Sequence, residues 1–123
     1  MIKKSRNFWE SLGFAVDGIL YSFRTQRNIR IHSIFALGTI LASGFFRVSS
    51  IELLVLITTI VMVISLEIVN TAIETVVDLY TDEYLPLARI AKNVAAGAVL
   101  LASLGAIIIG GVIFGPKVWQ LLK

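Results

Sequence analysis

From Leu53 to Leu66 the chain carries no charged side chain, and the apolar run continues past Val69. Hydrocarbon about 30 Å thick is crossed by about 20 apolar helical residues. A run of this kind therefore decides which solvent the fold must satisfy. In lipid every backbone N–H and C=O needs an internal partner, which strongly favours helices. The composition agrees: of 123 residues, 57% are hydrophobic, and the mean hydropathy of +0.87 belongs to the membrane class. No cysteine is present, which excludes disulfides and cysteine-based metal or redox sites.

Two further apolar runs flank this one. The first extends from about Ile31 to Phe46, and the last begins near Val94 and ends at "GP" (115–116). The pattern predicts an all-α membrane protein, one domain over 1–123. Its transmembrane helices are expected over about 31–47, 52–78 and 92–115. Before them, "FWESLGFAVDGILYSF" (8–23) predicts an amphipathic helix within about 7–27. Phe8, Trp9, Leu12, Ala15, Val16, Ile19, Leu20 and Phe23 share an arc of about 140° at 100° per residue. Glu10, Asp17 and Arg24 lie opposite. Such a helix lies in the membrane interface. Phe14 and Tyr21, off that arc, are candidates to face a site or a neighbouring subunit.

The charges set an orientation. Lys3, Lys4, Arg6, Arg24, Arg27 and Arg30 precede the first span, and "DLYTDEYLPLARIAK" (78–92) carries Arg89 and Lys92. The turn "FRVSSIE" (46–52) carries only Arg47. The positive-inside rule then places the amino terminus and the 78–92 loop in the cytoplasm. Lys117 and Lys123 count against that orientation. No signal peptide is expected, because the first apolar run follows an amphipathic segment and no A-x-A-like site follows a short apolar core. Nucleic acid is not an expected partner, since most of the surface must face lipid. In the last span, Ala91, Ala95, Ala98, Ala102, Ala106 and Gly110 recur at helical spacing, and such rows let helices approach closely. Gly97 is expected in the same contact. Trp119 suits an interfacial anchor.

The second span ends in "EIVNTAIETVVD" (67–78). Glu67, Asn70, Glu74 and Asp78 fall within about 80° of one another on a helix. Counted from Leu53, Glu67 and Asn70 sit just inside the apolar slab, with Glu74 and Asp78 at its border. Ionisable groups at that depth cost several kcal/mol unless paired, solvated or neutralised. One structural glutamate paired to an arginine would account for a single carboxylate but not for four polar groups on one face. The placement suits chemistry between an aqueous and a lipidic reactant. Desolvation penalises the charged form of Glu67, the deepest group, and such a carboxylate suits general-base work on a lipid hydroxyl. Glu74 and Asp78 offer oxygen ligands to a divalent ion such as magnesium. No GxxxxGK[ST] loop or protein-kinase signature occurs, so a bound nucleotide would depend on carboxylate-held magnesium with Lys92 and Arg30.

With "NIRIH" (28–32), "EIVNTAIETVVD" (67–78), "DEY" (82–84) and "AK-x-x-AAGAV" (91–99), the chain resembles the bacterial diacylglycerol kinase/undecaprenol kinase family. "RNIRIH", "AAGAV" and "FGPK" bring it nearer the Gram-positive undecaprenol kinase branch. The resemblance implies a surface helix plus three transmembrane helices, a homotrimeric bundle in the bacterial cytoplasmic membrane, and active sites shared between subunits. It implies phosphorylation of a lipid alcohol by ATP with Mg2+. Glu67 would be the general base and Asn70 would orient base or lipid substrate. Glu74 and position 26 would hold the metal. Gln26, Arg30, Glu74, Asp78, Glu83, Lys92 and Asn93 would form the nucleotide site. Two positions depart from the family pattern: Gln26 stands where a glutamate is usual, and Asn93 where an aspartate is usual. Each removes a charge from the expected nucleotide site. His32 belongs to the matched stretch, although a lone histidine at the start of a span is more often structural. Undecaprenol is the expected substrate and diacylglycerol the alternative. A catalytically impaired relative is a further alternative. A small oligomeric transporter fits less well, because it wants a lone midplane glutamate.

Overall fold

A computed structural model describes Lys4 and residues 7–123. Lys3 and Arg6, counted above towards orientation, lie outside the described residues. The described chain is four helices in sequence: α1 (Phe8–Thr25), α2 (Arg27–Phe45), α3 (Ser50–Tyr80) and α4 (Pro86–Leu122).

Each helix end has a local cause. Asn7 caps α1, its side-chain oxygen accepting from the Glu10 N–H at 2.9 Å. A single extended residue, Gln26 (φ −111°, ψ 115°), closes α1 and opens α2, which makes the corner between them. At the other end of α2, Val48 N–H reaches Ser43 C=O (3.2 Å) and Arg47 N–H reaches Gly44 C=O (3.4 Å). These are the two bonds of a Schellman termination, and they need a left-handed residue between helix and exit. Arg47 fills that place at φ 51°. Ser49 and Glu52 then start α3 with a reciprocal capping box that satisfies two orphan N–H groups. Pro86 opens α4, where its missing N–H costs nothing and its fixed φ already suits a helix.

Two boundaries differ from the sequence pattern. The loop read as 78–92 shrinks to five residues, 81–85, because α3 runs to Tyr80 and α4 starts at Pro86. At the far end α4 continues through Pro116 to Leu122 rather than stopping at "GP". Pro116 removes one hydrogen bond to the preceding turn, a loss that long membrane helices tolerate. Lys117, the next residue, donates to both Glu52 carboxylate oxygens (3.0 and 3.2 Å).

α3 is the hub. It packs most extensively on α4, then on α2 and α1, and among the described residues no other helix approaches the α4 backbone as α3 does. Two ion pairs mark the antiparallel register of α3 and α4: Lys92 with Asp78, and Lys117 with Glu52. Ala95, Val99 and Ile113 are the buried residues of α4, and Leu56 and Val63 those of the apolar part of α3. The small-residue row divides: Ala95 is buried, whereas Ala106 and Gly110 line a groove between α4 and α2. Gly97 is not in a close contact. It is exposed, and a Cβ there would meet nothing within 4 Å, because two residues on from Ala95 the helix has turned about 200°.

Among the described residues two helices, α3 and α4, are long and apolar enough to cross a membrane. At 31 and 37 residues they exceed about 30 Å of hydrocarbon with turns to spare. α2 has 19 residues, with Arg27, Asn28 and Arg30 in its first turn, and its apolar stretch is shorter. Long helices with few packing neighbours leave a large surface exposed. The chain exposes 9499 Å², whereas a soluble monomer of 13.5 kDa exposes about 6,500 Å².

Arg47 holds a left-handed backbone that a Cβ disfavours by about 1 kcal/mol. Arg47→Gly is expected to stabilise the chain by up to that amount in reversible unfolding from mixed micelles. A destabilised variant would mean that the Arg47 side chain supports the turn.

Candidate active site

The polar stripe of α3 faces the corner between α1 and α2. Glu67 is 1% exposed, Asn70 6% and Thr71 3%. Such burial in an apolar helix needs partners, and the structure supplies most of them. The Thr71 hydroxyl donates back to Glu67 C=O at 2.9 Å. Glu74 receives two amides: Asn70 Nδ2 at one carboxylate oxygen (3.1 Å) and Gln26 Nε2 at the other (3.3 Å). Asn28 and His32, one turn apart on α2, line the same cleft as Glu67 and Glu74. Among the described residues, three buried side-chain polar atoms nevertheless have no partner: Glu67 Oε1, Asn70 Oδ1 and Ser103 Oγ. All three residues line one cleft of about 390 Å³, together with Asn28, His32 and Glu74.

The cleft has a polar end and an apolar continuation. Ile31, His32 and Ser103 also line a groove of about 370 Å³ that passes Phe35, Thr39, Val63 and Gly110. Its floor is α3, and its walls are α2 and α4. An extended apolar molecule with one polar end fits this pair of compartments: the end at Glu67, the body along the groove.

The remaining candidates fall elsewhere. Lys92 and Asp78 form their ion pair in a second cleft, of about 250 Å³, with Thr81, Glu83, Tyr84 and Arg89. The Glu83 N–H is held by Thr81 Oγ1 at 3.0 Å, and the Arg89 guanidinium lies 5.8 Å from the Tyr84 ring centre. Asp78 is one turn beyond Glu74, about 6 Å along the axis, so the two clefts neighbour each other. Arg30 is turned back to α1, donating to Phe23 and Arg24 C=O at 3.5 and 3.4 Å. Asn93 is exposed and lines neither cleft. Thus Glu67, Asn70, Glu74 and Gln26 come together, Asp78, Glu83 and Lys92 form a second group, and Arg30 and Asn93 stand outside both.

Three polar residues of the cleft had no assigned role from sequence. Asn28 lay inside the "NIRIH" match without a role. His32 read as more often structural, with a site-adjacent role left open by that match, and it lines the Glu67 cleft. Ser103 gave no signal in the helical pattern. Only the register of α4 against α3 brings it to Glu67.

Among the described residues no three His, Cys, Asp or Glu side chains converge. The donors near Glu74 still suit a hard divalent cation: one carboxylate, the unpartnered Asn70 Oδ1, and the Gln26 amide oxygen if that amide turns over. One carboxylate with amide oxygens leaves positions for phosphate oxygens and water, the manner in which Mg2+ is usually held.

The family described as prokaryotic diacylglycerol kinase matches residues 13–114. A diacylglycerol kinase of Synechocystis is 43% identical over 117 residues, 94% of this chain and 67% of that protein. The undecaprenol kinase of Bacillus subtilis is 41% identical over 110 residues, 89% of each chain. The diacylglycerol kinase of Escherichia coli is 29% identical over 99 residues, 80% of this chain and 81% of that protein. Gln26 and the cleft residues from Asn28 to Ser103 all lie inside the matched region, and the chain belongs to the prokaryotic diacylglycerol kinase family.

Proposed function

We propose that this chain transfers the γ-phosphoryl group of ATP to the hydroxyl of a membrane lipid alcohol, with undecaprenol as the preferred acceptor and diacylglycerol as the alternative. The observation that carries the reading is Glu67. It is a buried carboxylate with an unpartnered oxygen, in a cleft that continues into an apolar groove. A lipid hydroxyl seated there gives its proton to Glu67. The freed oxygen forms a bond to the γ-phosphorus as the bond from that phosphorus to the β-bridging oxygen breaks, and ADP leaves. Asn70 orients the base and the acceptor. Glu74, with Gln26, would hold Mg2+, which when bound neutralises charge on the phosphates. Most of the rate then comes from positioning and electrostatic stabilisation.

Lys92, Asp78 and Glu83 neighbour this cleft without entering it, so a nucleotide would have to extend between the two groups of residues. Arg30 would join only after leaving its carbonyl partners. A homotrimer whose sites are completed between subunits fits this division, and it would cover part of the apolar surface that one chain leaves exposed. In this reading α2 is a third span, α1 lies in the interface, and the clefts open to the cytoplasm at the inner membrane of a bacterium. The preference for undecaprenol rests on the "RNIRIH", "AAGAV" and "FGPK" stretches. The 41% likeness to the Bacillus subtilis enzyme supports it, while the 43% relative is named a diacylglycerol kinase.

One contact favours a second reading, a chain with weakened metal–nucleotide binding. The Gln26 amide donates to Glu74, whereas a glutamate in that place would present a second carboxylate to the cation.

Transfer of labelled γ-phosphate from MgATP to undecaprenol and diacylglycerol in detergent micelles tests the main reading. Glu67→Gln is expected to lower kcat by about 10²–10⁴-fold; robust turnover in that variant would refute the general-base role. The second reading predicts that Gln26→Glu lowers the magnesium concentration for half-maximal rate and raises kcat/KM for MgATP several-fold. Asn93→Asp should do less, since Asn93 lies outside both clefts. An unchanged magnesium dependence in Gln26→Glu would remove the case for a weakened site.

A further inference from the structure

Hydroxyls on these helices have a common habit. Ser22, Ser33, Thr39, Ser43, Thr59 and Thr71 each donate to the carbonyl four residues earlier, at 2.7–3.0 Å. In an apolar surrounding this is the nearest acceptor, and back-bonding satisfies the proton locally. Ser65, which is exposed, does not follow the habit, and neither does Ser103, which is set apart by burial. Its Oγ is buried and has no partner, although the Val99 carbonyl lies four residues back.

Its position makes the departure informative. From the Asp78–Lys92 pair, Glu67 is eleven residues back along α3 and Ser103 eleven residues forward along α4. Antiparallel helices in that register bring the two to one level, and both line the same cleft. Ser103 also lines the apolar groove, so it stands where the polar end and the apolar body of a bound lipid would meet. Around it the Asn70 and Gln26 amides each donate to Glu74, and Asn28 and His32 line the cleft from α2.

An alcohol oxygen that gives its proton to a base still has lone pairs to direct. Glu67 Oε1 can accept the proton, and a separate donor must fix the oxygen. We propose that Ser103 is that donor: its hydroxyl binds the oxygen of the acceptor alcohol opposite Glu67. The inference rests on the lipid-kinase reading above and adds a substrate-contacting residue to it. It applies to any primary lipid alcohol, because it concerns the reacting oxygen and not the chain behind it.

The test is steady-state kinetics in mixed micelles for the full chain, Ser103→Ala and Ser103→Thr, with undecaprenol and with diacylglycerol. Ser103→Ala should lower kcat/KM for the lipid about tenfold, as for loss of one hydrogen bond to substrate, and leave KM for MgATP and the thermal midpoint unchanged. Ser103→Thr, which keeps the hydroxyl, should restore most of the loss. A Ser103→Ala variant with unaltered lipid kcat/KM overturns the assignment while the kinase reading stands. Equal losses in Ala and Thr, with a shifted MgATP KM or thermal midpoint, also overturn it in favour of a packing role. If the unsubstituted chain phosphorylates neither alcohol, the kinase reading itself falls and the Ser103 assignment with it.

Discussion

A carboxylate taken out of water must be met by other polar groups, and that requirement organises one half of this molecule. Glu67 sits on a helix whose preceding fourteen residues carry no charge, and it is almost completely buried. The corner at Gln26 allows α1 and α2 to leave in different directions while both still touch α3. That corner brings Gln26, Asn28 and His32 to the polar stripe from a separate stretch of chain. Without it the stripe would face hydrocarbon.

The opposite half is organised by closure. The Schellman exit from α2, the capping box of α3 and the Lys117–Glu52 pair gather into a few residues the polar groups that a membrane surface must satisfy. Phe46 and Phe114 pack between them, ring centres 5.9 Å apart. With Asp78–Lys92 at the other end, the long α3–α4 pair is pinned at both extremities. α2 and α4 each pack along α3 and meet where Phe46, at the end of α2, packs on Phe114, so that an apolar groove floored by α3 runs between them. The groove and the polar cleft are therefore consequences of one arrangement: α2 and α4 packed on a shared α3.

Glu74 shows how local chemistry tunes such a site. Both of its oxygens are engaged by amides, so it is held in place without a positive charge. Each oxygen keeps a further lone pair that a cation could use. A glutamate at position 26 would repel Glu74 until a cation arrived, which makes metal binding and local order the same event. With Gln26 the two are separable. The other departure, Asn93, has no comparable contact, and the sequence alone could not rank them.

The apolar runs and the 80° polar stripe determined the helical class and that Glu67 and Asn70 would be the deep polar groups of α3, because periodicity and hydropathy are local properties; the buried Thr71 was not part of that stripe. The helix start at Pro86 lay outside the apolar pattern, which placed the last span from about 92. The small-residue row was only half legible: helical spacing placed Ala95 at the contact, but whether Ala106 and Gly110 met a neighbour or a groove depended on where α2 lay. Gly97 was misplaced, since its phase on the helix faces away from Ala95. The grouping of Gln26 with Glu74, the separation of Arg30 and Asn93 from both clefts, and the arrival of Ser103 beside Glu67 belonged to the tertiary structure. Those depend on the angle at one extended residue and on the register of two antiparallel helices, and neither is written in any single stretch of chain.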